Sequence, residues 1–429
     1  MVVKRDWALA EPNGGPDTNG AEASAAQRTV FEKVMSDPVP IPEQGIERAV
    51  EILRSGRAFR YGEDTDGQGE ASLFERDFAA LVDRRYAVGV NSCGCSLFLA
   101  LKALGVGPGD PVLCNAFTLA PVPGAISHAG AHHVFVDITE DLVIDLNDLE
   151  RKIDSSGARV LLLSHMRGHF GDLDRLMELC DHREVQVIED CAHTLGATWG
   201  GRPVGSWGQI ACYSSQTFKH INSGEGGILA TDDDAIAAKV IVMSGSYMMY
   251  AQQGTRPPLE AFEAARDETP NFSMRMTNVA AALLRPQLSL LEGWIKQWNE
   301  SYANLERGFA SIPHIRPIVR DPRERFVGSS IQFLVEELPP EAIEAFVDDA
   351  ARHGVFLKWF GAERTAGFTS RYDQWAYAET EDRAAVADRT LARLIDMRIA
   401  LGFDRADCRT IVDVLSESMA VALKQRGGR

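Results

Sequence analysis

Residues 160–190 contain Val160-Leu161-Leu162-Leu163, then the segment Asp172-Leu173-Asp174-Arg175-Leu176-Met177-Glu178-Leu179-Cys180, then Val185-Gln186-Val187-Ile188-Glu189-Asp190. Two short apolar runs flank a helical segment, and runs of this length suit strands buried on both faces. The same alternation extends toward the N-terminus through Val112-Leu113 and His133-Val134-Phe135-Val136. It predicts an α/β fold, a largely parallel sheet wrapped by helices, with polar chemistry at the strand ends. Leu97, Leu101 and Leu104 predict a helix over Ser96–Leu104. Leu283, Leu284, Leu288, Leu291 and Trp294 predict one long helix over Asn278–Gly308 that leads to a second domain. There is no internal repeat.

The strand ending in Asp190 continues into Cys191-Ala192-His193, and the chain later reads Tyr213-Ser214-Ser215-Gln216-Thr217-Phe218-Lys219 before the turn Gly224-Glu225-Gly226-Gly227. An acid at a strand's carboxyl end can hold a pyridine nitrogen protonated, and a lysine on a following loop can join an aldehyde. Those are the two protein groups that pyridoxal phosphate (PLP) chemistry requires. The lysine must lose its proton to react, and burial with a nearby cation would depress its pKa. Asp190 and Lys219 are therefore the candidate catalytic residues. The structural alternative is a surface lysine and a helix-capping aspartate.

Further runs give these residues a context. Asn91-Ser92-Cys93-Gly94-Cys95-Ser96-Leu97, Gly105-Val106-Gly107-Pro108-Gly109-Asp110, Ala129-Gly130-Ala131, Val134-Phe135-Val136-Asp137, Glu189-Asp190 and Lys219 stand in a characteristic order and spacing. From about Phe74 to Arg307 the chain resembles the DegT/StrS-type sugar aminotransferases. The resemblance implies the fold type I architecture of aspartate aminotransferase, with a large PLP-binding domain over 31–300, a small C-terminal α+β domain over 301–429, and a homodimer. It also implies transfer of an amino group from an amino acid, glutamate or glutamine, to a keto or aldehyde group of a sugar, aminocyclitol or related polyhydroxylated compound.

Carried onto this sequence, the resemblance makes Lys219 the lysine that joins the cofactor and Asp190 the partner of the pyridine nitrogen. His193 is implied beside the ring, and Ser214 at the phosphate. Cys93-Gly94 replaces the family's Gly-Thr at the phosphate, so backbone amides at a helix start would hold it without that hydroxyl. Leu119 occupies the position of an aromatic residue that stacks on the ring, with Phe117 nearby. Ser273-Met274-Arg275-Met276-Thr277 matches a segment that reaches the neighbouring subunit's site, which gives Arg275 a role at the cofactor phosphate or at an anionic substrate group.

Two departures keep alternatives open. Phe360–Phe368 does not match the family's sugar-facing His-Tyr-Pro segment, which admits a non-sugar amine or amino-acid transaminase. The changes at Gly94 and Leu119 admit a catalytically silent PLP-binding regulatory protein. PLP-dependent sugar dehydratases of similar fold carry histidine in place of the lysine, and Lys219 argues against them.

Arg167 is a candidate to pair with a donor or acceptor carboxylate, the alternative being a surface ion pair. Tyr247 and Tyr250, in the long connection between Ser244 and Ser273, either line a substrate entrance or anchor the loop. His165 and His169 have the i,i+4 spacing of a metal pair, but Gly168 predicts a loop there, and no metal is expected. Cys93 and Cys95 lack a second pair to complete a metal site.

Composition bounds the rest. The chain has 429 residues, 45% of them hydrophobic, enough for two or three domains. Residues 1–30 read as a flexible tail. Seven cysteines without paired spacing suit free thiols in a reducing compartment. No apolar run approaches the about eighteen residues of a membrane span, and the N-terminus lacks signal-peptide blocks, so a cytoplasmic protein is expected. A net charge of -17 disfavours nucleic acid and anionic membranes as partners.

Overall fold

The computed structural model describes residues 28–61, 69–246, 248–363, 371–378 and 382–427. Most of the expected tail, Tyr247 and the second half of the Phe360–Phe368 segment lie outside the described residues.

Seven strands form the principal sheet, in the spatial order Tyr86–Val90, Gly227–Thr231, Ile210–Ser214, Gln186–Asp190, Val160–Ser164, Pro111–Asn115, His132–Val136. Gly227–Thr231 pairs antiparallel with both its neighbours, and the other pairings are parallel. Six strands therefore run one way, and their carboxyl ends collect along one edge. Val160–Ser164 and Ile210–Ser214 are buried throughout, which is why Val160-Leu161-Leu162-Leu163 reads as an unbroken apolar run. Asn115 ties two strand ends together: its amide donates to the Phe117 and Ser164 carbonyls, while the Ser164 N–H donates to Asn115 Oδ1 at 2.9 Å.

Helices pack on both faces of this sheet. Leu173–His182 begins at Asp172, whose Oδ1 accepts the Arg175 N–H, as the strand–helix–strand reading requires. Two expectations need correction. The helix predicted from Ser96 starts at Cys93, because Ser92 Oγ accepts the Cys95 N–H and caps it three residues earlier. The single helix predicted over Asn278–Gly308 is two, Asn278–Leu284 and Leu291–Phe309, with a 3-10 turn Arg285–Gln287 between them. Pro286 lacks the N–H that a continuous helix would use there.

A second, four-stranded antiparallel sheet has the order Ile315–Pro317, Ser330–Val335, Leu394–Arg398, Lys358–Trp359. Helices Pro340–Arg352 and Arg405–Gly427 accompany it. The chain before the first helix, Glu43–Ser55, packs on these late elements. Phe31 meets Phe403 edge-on at 5.3 Å, and Arg28 pairs with Asp349 and Glu417. The segment then reaches the principal sheet's edge, where the Asn222 amide donates to the Val39 carbonyl. Among the described residues no helix is long and apolar enough to cross a membrane.

Candidate active site

Successive residues of a strand face opposite ways, and Glu189 and Asp190 use this to separate structure from chemistry. Glu189 is fully buried and accepts N–H groups from Gly205, Trp207 and Gly208 at 2.7–2.9 Å, with His165 Nε2 at 3.1 Å. Burial would raise its pKa, but the His165 bond and these N–H groups hold it below the ordinary carboxylate value. Asp190 turns into a cavity. Its oxygens accept the Ser164 hydroxyl and the Ala192 N–H, each at 3.2 Å. Burial raises its pKa, opposed by the Ala192 N–H and the charge of Lys219.

That cavity, about 390 Å³, is bounded by Asp190 and Ala192 and by Ser92, Cys93 and Gly94 at the start of helix Cys93–Ala103. Ser214, Gln216, Lys219 and Glu225 close another side, and Leu97, Leu119, Val122 and Met166 give it an apolar face. The Cys93 and Gly94 N–H groups lie in the first helical turn, where backbone donors lack intrahelical partners and attract anions. Phe117 is not part of this wall. It is fully buried edge-on to Phe360 at 5.5 Å, so Leu119 alone of the two faces the cavity.

Lys219 enters from the loop after Ile210–Ser214, its Nζ 2.8 Å from His193 Nε2. Burial and the neighbouring Arg167 lower its pKa to about 8, so about a tenth of the amine is unprotonated at pH 7, far more than for an ordinary lysine. His193 is driven well below its ordinary value by burial and by the Lys219 charge, and stays a neutral hydrogen-bond partner. Lys219 and His193 also line a second, smaller cavity of about 40 Å³ with Arg167, His220 and Arg398, bordered by Met35–Val39.

Other expected site residues divide. Arg167 lies beside Lys219, yet its guanidinium is bound to Asp396 at 2.7 Å in a buried pair, so neither the surface ion pair nor a free carboxylate receptor describes it. Tyr250 lines neither cavity and stacks on buried Phe262 at 4.3 Å, an anchor for its loop. That loop is not structureless, since it contains helix Ala261–Glu268. Arg275 lines neither cavity; its Nη1 donates to the Gly245 carbonyl at 2.8 Å and its guanidinium lies over Phe59. The His165 and His169 rings turn to different partners, Glu189 and Gln332, and do not converge. His165, Glu189 and Cys191 cluster closely, but the Glu189 oxygens are already engaged by backbone donors. Arg398 and Ser164 carry no sequence signal, because segments distant from the lysine loop bring them to the site, whereas His220 and Glu225 lie in that loop and its closing turn and only the structure places them at the cavities.

A principal sheet with one reversed strand, an acid at a strand end, a lysine of lowered pKa and an anion-binding helix start together fit PLP, and they define a fold type I PLP-dependent enzyme. The pattern of the DegT/DnrJ/EryC1/StrS aminotransferase family matches residues 41–416, and the chain belongs to that family of PLP-dependent aminotransferases. It is 35% identical to the spore coat polysaccharide biosynthesis protein SpsC of Bacillus subtilis, over 66% of this chain and 70% of that protein. It is 32% identical to the dTDP-3-amino-3,4,6-trideoxy-alpha-D-glucose transaminase of Streptomyces venezuelae, over 62% of this chain and 65% of that protein. The structure of 3-amino-5-hydroxybenzoic acid synthase superposes with a TM-score of 0.76 at 25% identity, covering 92% of this chain and all of that one. The PLP form of Spr1654 from Streptococcus pneumoniae, 21% identical, shares the fold with a TM-score of 0.75, covering 91% of this chain and 100% of that one.

Proposed function

We propose that this aminotransferase moves an amino group from an α-amino acid, glutamate or glutamine, to a carbonyl group of a sugar, aminocyclitol or related polyhydroxylated compound. The observation that carries the reading is Lys219, an amine with its pKa lowered to about 8, standing between two cavities with Asp190 in one of them. The compounds in the relatives' names supply the substrate class: a dTDP-linked amino sugar, GDP-perosamine and, in a Micromonospora echinospora protein, an amino-dideoxy-scyllo-inosose.

When bound, PLP supplies an aldehyde that accepts nitrogen and a ring that accepts electrons. The chain's own groups then have distinct tasks. Asp190, positioned by Ser164 and the Ala192 N–H, stabilises positive charge at the ring nitrogen. The N–H groups of Cys93 and Gly94, with the Ser214 hydroxyl, hold the phosphate. Leu119 and Ala192 line the cavity that would take the ring, and the apolar face would exclude water. Lys219 Nζ holds the cofactor between turnovers and carries a proton during them, with neutral His193 fixing its direction.

The reading includes a homodimer in which Arg275 reaches the partner's site. It also includes a cytoplasmic location, which the free thiols of all seven cysteines support. The test is spectroscopic and kinetic. Apo-protein titrated with PLP develops a bound-cofactor absorbance band, L-glutamate shifts it, and Lys219→Ala abolishes multiple turnover while still binding PLP. A native protein that binds no PLP, or a Lys219→Ala variant that keeps turning over, would overturn the proposal.

A further inference from the structure

The 3-10 turn Met166–Gly168, after strand Val160–Ser164, carries a buried arginine in an uncommon backbone conformation. Arg167 has φ 57°, in the left-handed region that β-carbon sterics disfavour. Such a conformation persists only where the surroundings fix it. Gly168 presses on the turn after Asp190: a β-carbon there would stand 3.3 Å from the His193 carbonyl, and His193 Nε2 is 2.8 Å from Lys219 Nζ. Arg167 and Lys219 line the same small cavity. The second sheet supplies the rest of the arrangement. Arg167 Nη2 meets Asp396 Oδ2 at 2.7 Å, and Gln332, the register partner of Asp396 on the adjacent strand, donates its Nε2 to Asp396 Oδ1 at 2.7 Å. Gln332 Oε1 takes the His169 Nε2–H at 2.8 Å, which fixes the direction of the amide, and burial keeps that imidazole neutral. Four buried side chains thus settle where one guanidinium stands.

We infer that Asp396 is a positioning residue for Lys219: held by Gln332, it anchors Arg167 beside the amine and offsets part of that guanidinium's charge, so the second domain sets the pH at which Lys219 becomes a nucleophile. The other charged groups lining the two cavities of Lys219 are Asp190, Glu225, Asp37 from the N-terminal segment and Arg398. His193, His220 and Cys93 line them too, and burial holds each neutral. Asp396 also faces Lys358, its register partner on the other side. Arg167 and Asp396 touch, so removing either one exposes the amine to the uncompensated charge of the other. The meaning of this in turnover rests on the aminotransferase reading, so the amine is titrated in apo-protein, where neither cofactor nor donor is needed.

A charge role and a packing role differ in sign. Asp396→Asn keeps the shape and leaves the Arg167 charge uncompensated, which should lower the midpoint of Lys219 deprotonation by roughly one pH unit from about 8. Arg167→Gln leaves the Asp396 charge uncompensated and should raise the midpoint by a similar amount. The double variant should return close to the native midpoint. Packing alone would move both single variants the same way or neither. The readout is the initial rate of reductive methylation of Lys219 by formaldehyde and cyanoborohydride between pH 6 and 10, quantified by peptide mass spectrometry, with melting temperature showing that each variant is folded. Where Asp396→Asn alone does not fold, the step from Arg167→Gln to the double variant removes the same charge and should lower the midpoint by roughly one pH unit. Single variants that shift together overturn the inference, as does removal of the Asp396 charge in either background with no change of midpoint. A native protein that binds no PLP would end the aminotransferase reading and leave these titrations as decisive as before.

Discussion

The amine of Lys219 is reactive only when unprotonated, and burial beside Arg167 brings its pKa down to about 8. Covalent attachment of PLP to the apo-protein should therefore accelerate about tenfold per pH unit below pH 8 and level off above it. Stopped-flow absorbance across pH 6–10 checks this, and a rate still climbing steeply toward pH 10 would mean an unperturbed lysine. Gly94 offers a second test. A β-carbon built there meets only Ser92 Oγ at 3.8 Å, so a larger side chain fits without moving the backbone. On the proposed phosphate assignment, Gly94→Thr adds a hydroxyl donor to a charged acceptor, worth about 1.5 kcal/mol, and should tighten PLP binding about tenfold. Equilibrium titration of apo-protein reads the change. Asp190 and Lys219 are legible in the sequence because each sits in a local signature, a strand end and a glycine-closed loop. Arg398 is silent there, since nothing near it announces that Lys219 will be its neighbour.

At the scale of elements, the phosphate end depends on how closely helix Cys93–Ala103 approaches strand Gly227–Thr231. A β-carbon on Gly227 would overlap the carbonyl of Ser92 and the N–H of Cys93, so this strand must begin with glycine for the helix to start where it does. Gly227→Ala should displace that helix start. We expect PLP affinity to drop at least tenfold and stability to fall by about 1–3 kcal/mol, the usual cost of overpacking. Urea unfolding and cofactor titration on the same preparation measure both. An alanine variant with native affinity would show that the helix start does not hold the phosphate. Helix existence is readable from leucine spacing, but the boundaries are not. Ser92 moves one start upstream through a single side-chain bond, and Pro286 splits a helix that periodicity alone would run together.

For the molecule as a whole, Arg275 poses the main question, because it touches neither cavity of its own chain. If it completes the partner's site, inactive Lys219→Ala and inactive Arg275→Ala subunits should regain activity when mixed. One site of each mixed dimer then holds both intact residues, so activity should approach a quarter of native at random exchange. Light scattering and tagged-subunit capture establish that exchange has occurred. No recovery in exchanged dimers, or full activity of Arg275→Ala alone, removes the shared-site reading. The sequence by itself determined the alternating α/β order, the parallel character of the sheet and the acid–lysine pair. Each of these is written in local periodicity or in the residues at a strand's end, and short-range sterics and burial enforce them. Only the tertiary structure decided that Arg167 is neutralised by Asp396, that Arg398 lies over the Phe218 ring at the same cavity, and that the N-terminal segment borders the cavity beside Lys219. Those outcomes depend on which charges from remote segments meet out of water, and no local pattern encodes that pairing.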